Sequence, residues 1–445
     1  MAYKYAWQWC LSFFLAGSMV CPGAAEEEAS FPFPVSSFTL KNGLQVILSE
    51  DYTLPLVSVV LAYNVGSLHE QPGKTGVAYV LENMMFRGSL NIGPMQHLSY
   101  VNRAGGETSA STTADITSFF QTVPANQLAL VLWLESDRMK SLEIDAAKAE
   151  RTRQDSLAEI IQRKAAEPYL ESSLAFERLL YPDFAHGHSV LGREEDVARL
   201  TVEDIRSFYA TFYVPNNAVL AIVGNINPAK TRDLVEKYFE SVAAGKKLPV
   251  FLPPRPAEKR EIIQSFQEPQ APSPGFHLGY RIAPPFSRDS YALAVIDYIL
   301  LQGQTSRLYR KIVKKEGLAL YLSGGVETRK DVAVLKMFAM NNNETMVELS
   351  QKGIFSEINK LRTSEVSEAE LTKAKNMFKR DYYSRFATPL ERALALTEIF
   401  FSPVSLENAP LELTKYLRVT PFEVRVVTDR YLVPDNSVIL NVRSR

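Results

Sequence analysis

The sequence predicts an α+β protein made of two homologous domains, each with helices packed on an antiparallel or mixed sheet. Three observations support this fold class: the length of 445 residues, a pattern that recurs further along the chain, and a proline-rich segment between the two copies. A domain typically has about 100–200 residues, so this length predicts at least two domains. Hydrophobic residues make up 46% of the chain and charged residues 22%, which is typical of globular proteins and not of disordered ones.

The recurring pattern is a capped helix, a tight turn and an apolar strand. Thr201 and Thr420 each precede acidic residues and a helical stretch, which is typical of a helix N-terminus. Pro215 and Pro434 then open Pro-Asn-Asn and Pro-Asp-Asn turns that lead into strands rich in valine, leucine and isoleucine. The members of each pair are separated by 219 residues. This constant separation indicates an internal duplication.

Proline-dense segments between the two copies predict a linker. We expect a first domain over residues 26–245, a linker over 246–272 and a second domain over 273–445. Each half is expected to begin with strands, and helical patterns alternate with further strands behind them. The strands expected at the starts of the halves are residues 38–40, 45–48, 57–65 and 275–281.

Residues 1–25 are predicted to be a secretory signal peptide. The segment contains one basic residue, Lys4, then a mostly apolar run over residues 7–20, and small residues before a cleavage site expected after Ala25. One alternative is an uncleaved membrane anchor, for which the apolar run is short. Another is lipidation of Cys21, which lacks a small residue before it. We therefore expect a periplasmic or otherwise exported protein whose mature chain has no membrane span.

The charge and cysteine counts exclude several classes of protein. With 49 Lys and Arg against 50 Asp and Glu, the formal net charge is −1, so the chain has no overall basic field for nucleic acid. Cys10 and Cys21 both lie in the predicted signal peptide, which would leave the mature chain without thiols. A metal ion would then have to be bound by His, Asp or Glu.

A helical segment in the first half carries the motif on which the functional prediction depends. Residues 76–89 read Gly-Val-Ala-Tyr-Val-Leu-Glu-Asn-Met-Met-Phe-Arg-Gly-Ser, with the apolar spacing of a helix. This frame resembles the active-site helix of the pitrilysin/insulinase metallopeptidases, the inverse zincins, which carry His-x-x-Glu-His there. In that family the histidines bind zinc and the glutamate activates the metal-bound water. The corresponding residues here are Tyr79, Glu82 and Asn83.

The resemblance also identifies a position for a third metal ligand. Family members complete the zinc site with a glutamate from a later helix. The 76 residues that separate Asn83 from Glu159 match the family's spacing, and the segment around Glu159 resembles that later helix. The resemblance therefore implies that Glu159 holds the remnant ligand position and Glu82 the remnant general-base position.

A polar segment resembles the strand on which these peptidases hold their substrate. Residues 105–120 look like the family's Asn-Ala-x-Thr strand, with Ser109 in the place of Asn. The resemblance implies that the edge of this strand binds a peptide as an added strand, through backbone hydrogen bonds. The expected substrate-binding residues are Ser109, Ala110, Ser111 and Thr112. The alternative is an ordinary half-buried strand with a solvated polar face.

The resemblance extends over nearly the whole mature chain. It implies two related domains that face each other as a clamshell around a chamber. The resemblance also implies that this clamshell is half of a dimer. The family often has an arginine and a tyrosine in the second half that hold the substrate backbone. Aligned on Gly317, these positions hold Val313 and Leu320. Lys314 and Tyr321 are displaced by one residue, and such a shift turns a strand side chain to the opposite face.

The departures from the family motif predict a site without zinc. Tyrosine is a poor ligand near neutral pH, with an ordinary pKa of about 10, and asparagine offers only a neutral carbonyl oxygen. A catalytic zinc site normally has three protein ligands and a water, of which Glu159 alone remains. We therefore expect no cofactor. In the alternative hypothesis, the protein binds zinc through an unusual set of ligands. His186 and His188 are further metal candidates, although loop histidines are more often polar surface residues.

Three functions remain open at this point. The first is an inactive subunit that completes the chamber of a zinc-bearing partner and helps to bind the substrate peptide, as a heterodimer with that homologue or as a homodimer. The second is a structural scaffold subunit of an envelope assembly. The third is an active metallopeptidase that uses Glu82 as its base and Glu159 as a metal ligand. The prediction favours them in this order.

Overall fold

The computed structural model describes residues 30–181, 183–251 and 258–444, and the predicted signal peptide lies outside this part of the chain. The strands form two sheets. The strands of the first sheet are β1 (Ser36–Thr39), β2 (Gln45–Glu50), β3 (Leu56–Tyr63), β4 (Glu107–Thr112), β5 (Thr117–Pro124) and β6 (Ala218–Gly224). Those of the second sheet are β7 (Ile262–Gln267), β8 (Gly275–Ile282), β9 (Ala319–Arg329), β10 (Val332–Asn341) and β11 (Ser437–Arg443).

Helices connect the strands in both halves. The α-helices of the first half are α1 (Val77–Met84), α2 (Gln96–Arg103), α3 (Leu128–Ser141), α4 (Ala146–Ala166), α5 (Leu170–Leu180), α6 (Phe184–Gly187), α7 (Glu194–Val197), α8 (Val202–Phe212) and α9 (Pro228–Phe239). Those of the second half are α10 (Arg288–Leu300), α11 (Glu344–Thr363), α12 (Glu368–Ser384), α13 (Pro389–Phe401), α14 (Ala409–Leu417) and α15 (Pro421–Tyr431). A search of the described residues finds no helix with the length and apolar character needed to cross a bilayer.

Both sheets are mixed, as predicted. The strand order is β1-β2-β6-β3-β5-β4 in the first sheet and β7-β11-β8-β10-β9 in the second. Neighbouring strands are antiparallel except for β2 with β6 and β7 with β11, which are parallel. The second sheet therefore repeats the last five strands of the first in the same order, which confirms the α+β fold of two homologous units.

The recurring pattern of the sequence forms the same local structure twice. Thr201 and Thr420 each accept a hydrogen bond from the third residue of the helix that follows, and an acidic side chain reaches back to complete a capping box. Asn217 and Asn436 each donate a side-chain hydrogen bond to the carbonyl oxygen of the residue five positions earlier, at 2.8 and 2.7 Å. These contacts fix the turn between helix and strand in each half.

The helices α5 and α13 are exchanged between the two halves. They occupy equivalent positions in the duplicated chain, yet each packs on the sheet of the other half. Phe176 and Leu180 of α5 belong to an apolar cluster with residues of β10 and β11. Ala393 and Leu396 of α13 belong to a cluster with residues of β2, β3 and β6. Each sheet is thus covered on one face by its own helices and on the other by a helix from the opposite half.

Charged groups reinforce both exchanged contacts. Arg281 of β8 donates hydrogen bonds to the carbonyl oxygens of Leu179 and Leu180, both at 2.8 Å, at the C-terminus of α5. A cation is favourable there because it faces the negative end of the helix dipole. Arg392 of α13 forms an ion pair of 2.9 Å with Asp51, which follows β2.

The predicted linker over residues 246–272 is wrong for residues 262–267. These residues form β7, which pairs in parallel with β11 just as β2 pairs with β6. The strand therefore belongs to the second sheet, in the place that β2 has in the first. The predicted first domain, residues 26–245, also includes α5, whose apolar side packs on the second sheet. A single boundary in the sequence thus does not separate the two sheets together with the helices that pack on them.

Candidate functional site

The helix α1 presents three partly buried polar residues to its neighbours. It begins after Gly76, which has a φ of +85° and lies so close to Val197 that an added Cβ atom would stand 2.6 Å from its side chain. One side of the helix is buried in the first core and consists of Val77, Ala78, Val80, Leu81 and Met84. The remaining positions, Tyr79, Glu82 and Asn83, adjoin α4 and β4.

Asn83 is bonded to α4. Its side-chain amide donates a hydrogen bond of 3.1 Å to the hydroxyl of Ser156, which is fully buried in α4. One turn earlier in α4, the hydroxyl of Thr152 donates a hydrogen bond of 3.3 Å to the sulfur of Met84, the residue after Asn83. The two contacts fix the C-terminal end of α1 against the middle of α4.

Tyr79 also faces α4. Burial raises the pKa of Tyr79, and a hydrogen bond to the Glu159 carboxylate raises it further. The phenol therefore stays protonated throughout the physiological range and donates to this carboxylate. Glu159 itself is exposed on the surface of α4.

These residues do not form a set of donors that suits zinc. A zinc site takes thiolate, neutral imidazole or carboxylate ligands. Of the three ligand positions, Tyr79 is a protonated phenol and Asn83 a neutral amide bonded to Ser156, so Glu159 is the one suitable ligand. Across the described residues, no group of three or more His, Cys, Asp or Glu side chains is placed to hold a metal ion.

Glu82 connects α1 with β4. Its carboxylate accepts a hydrogen bond of 2.5 Å from the hydroxyl of Thr112 at the end of β4. Burial raises the pKa of Glu82, the hydrogen bond from Thr112 lowers it, and the charge of Glu159 raises it again. The net shift of the Glu82 pKa is upward, because burial, together with the charge of Glu159, outweighs the hydrogen bonding by Thr112.

The strand β4 lies at the edge of the first sheet. It pairs with β5 on one side and is the last strand in the order on the other. Its side chains alternate, with Ser109 and Ser111 exposed and Ala110 and Thr112 partly buried. The polar sequence of β4 therefore matches its position at an edge, where one side of the backbone has no neighbouring strand in the sheet.

The register of β4 identifies which backbone groups face the open edge. The N–H of Thr113 donates to the carbonyl oxygen of Ile116 at 2.9 Å, so this opposed pair is a hydrogen-bonded one. Hydrogen-bonded pairs recur every second residue in antiparallel strands. Ser111 therefore bonds to β5, whereas the N–H and C=O groups of Ala110 and Thr112 point away from β5. Of the four predicted binding residues, Ala110 has both backbone groups available to an added strand, whereas Thr112 offers its C=O and turns its N–H toward the Glu82 carboxylate.

The positions of the second half that the resemblance aligns with the family's substrate-holding tyrosine lie in an exposed part of the second sheet. Leu320 and Tyr321 lie in the edge strand β9 and are both about half exposed, at 50% and 51%. Tyr321 pairs with Met340 and Ala319 with Asn341, so Leu320 is the extra residue of a β-bulge. The bulge places both side chains at the solvent-exposed end of this edge.

The five histidines serve the fold and do not assemble a metal site. Burial lowers the pKa of His69 to about 4, that of His97 to about 3 and that of His277 to about 3, so these rings are neutral at physiological pH. The ring nitrogens of His186 and His188 are already engaged with protein acceptors on both sides. His186 and His188, the two metal candidates from the sequence, therefore have no free ring nitrogen with which to bind a metal ion.

Sequence reasoning missed a buried carboxylate next to the motif helix. Both oxygens of Glu70 accept backbone hydrogen bonds at the start of α1, from Gly76 at 2.8 Å and Ala78 at 2.9 Å. The same carboxylate contacts Nε2 of His188 at 2.9 Å. The signal in the sequence was an acidic residue six positions before Gly76, the residue that precedes α1 and has no side chain to cap it.

Two sequence models of one peptidase family match the chain. The model described as "Insulinase (Peptidase family M16)" matches residues 45–188, which contain α1, β4 and Glu159. The model described as "Peptidase M16 inactive domain" matches residues 199–378. The word inactive thus belongs to a match that does not include the site on α1. Together the two matches cover well over half of the chain.

Individual proteins resemble the chain over nearly its full length. The zinc protease PqqE of Helicobacter pylori is 29% identical over 406 residues, which are 90% of each chain. A crystal structure of a protease from Helicobacter pylori superposes with a TM-score of 0.87 at 26% identity, over 92% of this chain and 99% of that one. A crystal structure described as a peptidase M16 inactive domain from Pseudomonas fluorescens has a TM-score of 0.82 at 18% identity, over 93% and 98%, and shows the fold alone.

Proposed function

The chain belongs to the insulinase family of peptidases, family M16, and on that premise we propose that it binds peptides without hydrolysing them by itself. In this proposal β4 holds the peptide, and a partner chain with an intact His-x-x-Glu-His motif supplies the zinc and completes the chamber. A homodimer is the alternative assembly. We also propose that the protein is exported, on the basis of the signal sequence at residues 1–25.

The proposal rests on the two residues that stand at the histidine positions of α1, Tyr79 and Asn83. Tyr79 donates to Glu159, and Asn83 donates to Ser156. A protonated phenol and a neutral amide therefore stand at these positions, and neither is a ligand of the kind zinc prefers. Glu82 keeps the general-base position, but a base needs a metal-bound water near it to act in this mechanism. The contacts therefore favour a helix pair held by hydrogen bonds over a metal centre.

The open edge of β4 supports the peptide-binding part of the proposal. Strand addition relies on backbone hydrogen bonds and does not depend on the histidines. Ala110 and Thr112 present backbone groups on the open side, and Glu82 is bonded to Thr112 at the end of that row. A peptide bound there would lie beside α1, so a second chain that closes over this edge would enclose it.

Metal analysis tests the absence of zinc. The purified protein, incubated with excess zinc and then desalted, is expected to retain well under one zinc per chain, since one carboxylate does not hold the ion. Glu159→Ala should leave that value unchanged, and so should Glu167→Ala, a matched control near the end of the same helix. Stoichiometric zinc that is lost in Glu159→Ala and kept in Glu167→Ala would contradict the proposal.

That outcome would instead support an active metallopeptidase with an unusual ligand set. The name of the similar protein from Helicobacter pylori, a zinc protease, favours this second candidate function. In it Glu82 would be the base and Glu159 a ligand.

Mixing experiments test the partner. Addition of this chain to a homologue from the same organism that bears His-x-x-Glu-His is expected to raise hydrolysis of a disordered protein such as β-casein, because the chamber is then complete. The matched control is the same homologue with its motif glutamate replaced by glutamine, which should stay inactive in the mixture. No association with any such homologue would favour the scaffold function.

A further inference from the structure

Two histidines hold the loop after α5 against both halves of the molecule. Nε2 of His186 lies 3.0 Å from the carbonyl oxygen of Lys330, in the turn between β9 and β10. Nε2 of His188 lies 2.9 Å from a carboxylate oxygen of Glu70, before α1. With Asp183 these four residues form a cluster that we call the histidine junction. His186 and His188 are both buried, with about 5% of their surface exposed.

Every ring nitrogen of the junction faces an acceptor. Nδ1 of His186 lies 2.8 Å from the carboxylate of Asp183, and Nδ1 of His188 lies 2.8 Å from the carbonyl oxygen of Phe184. A neutral imidazole has one N–H, whereas carbonyl and ionised carboxylate oxygens only accept. Both hydrogen bonds of His188 can therefore form only if its ring carries two protons or if Glu70 carries the extra one.

The junction is connected to the ends of the edge strands β4 and β9, one in each sheet. Glu70 also accepts the backbone N–H groups of Gly76 and Ala78 at the start of α1. The backbone N–H of Lys330 donates to both oxygens of Asp115, at 3.0 and 3.1 Å, in the turn between β4 and β5. The turns at the ends of β4 and β9 are thus tied to each other and to the loop that carries the histidines.

The charges around the two rings are of both signs. Arg329 donates to the backbone oxygen of His186 and is itself paired with Glu177 at 2.9 Å and Glu327 at 2.8 Å. Asp115 faces His186 from the β4–β5 turn, and its charge interacts with that ring. The cavity that His188 lines, about 720 Å³ in volume, also includes the charged residues Lys164, Arg178, Asp183, Arg193, Glu194 and Glu195.

We propose that the His188–Glu70 contact of the histidine junction is a proton-dependent clasp between the segment after α5 and the start of α1, closed when His188 carries its extra proton and loosened when it loses it. Loosening would free the start of α1 from this segment. The clasp would let pH set how firmly the start of α1 is held.

The direction of the pH effect follows from the His188–Glu70 contact. Burial lowers the pKa of His188, but the hydrogen bond and charge of Glu70 outweigh it and raise the pKa above its ordinary value of 6.5. A group with a raised folded-state pKa stabilises the folded state fully below its unfolded pKa and ceases to do so as pH rises through the folded value. The clasp is therefore expected to be closed at pH 5.5 and to loosen on the alkaline side of pH 6.5.

Hydrogen exchange of the full chain, expressed as protection factors corrected for the intrinsic effect of pH, tests the proposal. Between pH 5.5 and 8.5, protection of residues 66–80 is expected to fall about tenfold, which is the effect of losing a hydrogen bond to a charged group. Protection of residues 218–224 in the core strand β6 should change no more than the global stability of the protein does. A wild-type protein in which residues 66–80 keep the same protection at both pH values would overturn the proposal.

Glutamine variants identify the histidine responsible. Glutamine places an amide N–H near the position of Nε2 and does not titrate. His188→Gln is expected to remove the pH response of residues 66–80, while His69→Gln should leave it intact because the His69 ring is already neutral. If His188→Gln keeps the full response of this segment, the clasp is not the cause.

Discussion

Single residues on α1 determine what the site can bind. Tyr79 and Asn83 stand four positions apart, as the ligands of a helical metal motif must, but a phenol and an amide take the places of the two imidazoles. By the resemblance in sequence, Glu82 and Glu159 correspond to the other two positions of the family's site. The difference between this site and a zinc site is therefore confined to two side chains on one helix.

Restoring both histidines should create a zinc site. The double variant Tyr79→His/Asn83→His is expected to bind about one zinc per chain, because two imidazoles, Glu159 and a water complete the usual set. Metal analysis after dialysis measures the stoichiometry. Tyr79→His alone is the matched control and should bind zinc far more weakly, since it keeps the amide at position 83. If the double variant takes up no zinc, α1 and α4 are spaced differently from a metal centre.

The residues of this site could be predicted from the sequence, but their contacts could not. Helical spacing and the resemblance placed Tyr79, Glu82, Asn83 and Glu159 together, and the structure brings α1 and α4 into contact. The bond between Glu70 and His188 joins residues that lie 118 positions apart and match no motif. Such a contact depends on how the loop after α5 packs, which no local pattern encodes.

Among the elements, β4 and α1 together define the place where a peptide would lie. The strand offers the open backbone groups of Ala110 and Thr112, and Glu82 stands at the end of the row. Edge strands are recognised by their backbone, so their side chains set specificity more than affinity. The sequence of β4 is mostly polar, which is consistent with an edge strand that stays unpaired in the free protein.

Removal of one backbone donor from β4 should weaken peptide binding. Ala110→Pro deletes an N–H that points to the open edge and is tolerated there because it breaks no bond to β5. Affinity for fluorescently labelled β-casein, measured by fluorescence anisotropy, is expected to fall about tenfold. Ala110→Ser keeps the donor and is the control that should bind like the wild type. Equal affinities for all three proteins would place the binding surface elsewhere.

The elements that sequence reasoning misassigned have identifiable causes. β7 reads Ile-Ile-Gln-Ser-Phe-Gln and is largely exposed, so it lacks the apolar run expected of a strand and lies next to a proline-rich segment. The parallel pairing with β11 involves residues about 176 positions further on. α5 has an ordinary amphipathic pattern that predicts a helix but not the sheet on which it packs. In both cases, contacts with residues distant in the sequence determine where the element lies in the fold.

At the scale of the whole molecule, the two halves are interdependent. Each sheet has one face covered by a helix that comes from the other half, α5 in one case and α13 in the other. Arg281 and Arg392 add charged contacts to the same two exchanges. A half on its own would expose the apolar face that the missing helix covers, and such an exposed face destabilises a domain and promotes aggregation.

Separately expressed halves should therefore fail to fold. Fragments 26–245 and 246–445, produced singly, are expected to be insoluble or to unfold without a cooperative transition, as followed by circular dichroism in urea. Co-expression should restore a soluble complex of the two, because each fragment then supplies the helix that the other lacks. A cooperative transition in either fragment alone would show that the exchanged helix is dispensable.

The helix exchange also has a consequence for the newly synthesised chain. All strands of the first sheet have been made once Gly224 is complete, but α13, which covers their outer face, ends only at Phe401. At about 5–20 residues per second, roughly 10–35 s pass between these two points on the ribosome. During that interval the nascent chain carries an apolar face that includes Ile47, Val60 and Ala221 and has no partner yet. The first half therefore cannot complete its fold until α13 has been made. In that time a general chaperone that binds unfolded chains can bind the exposed face.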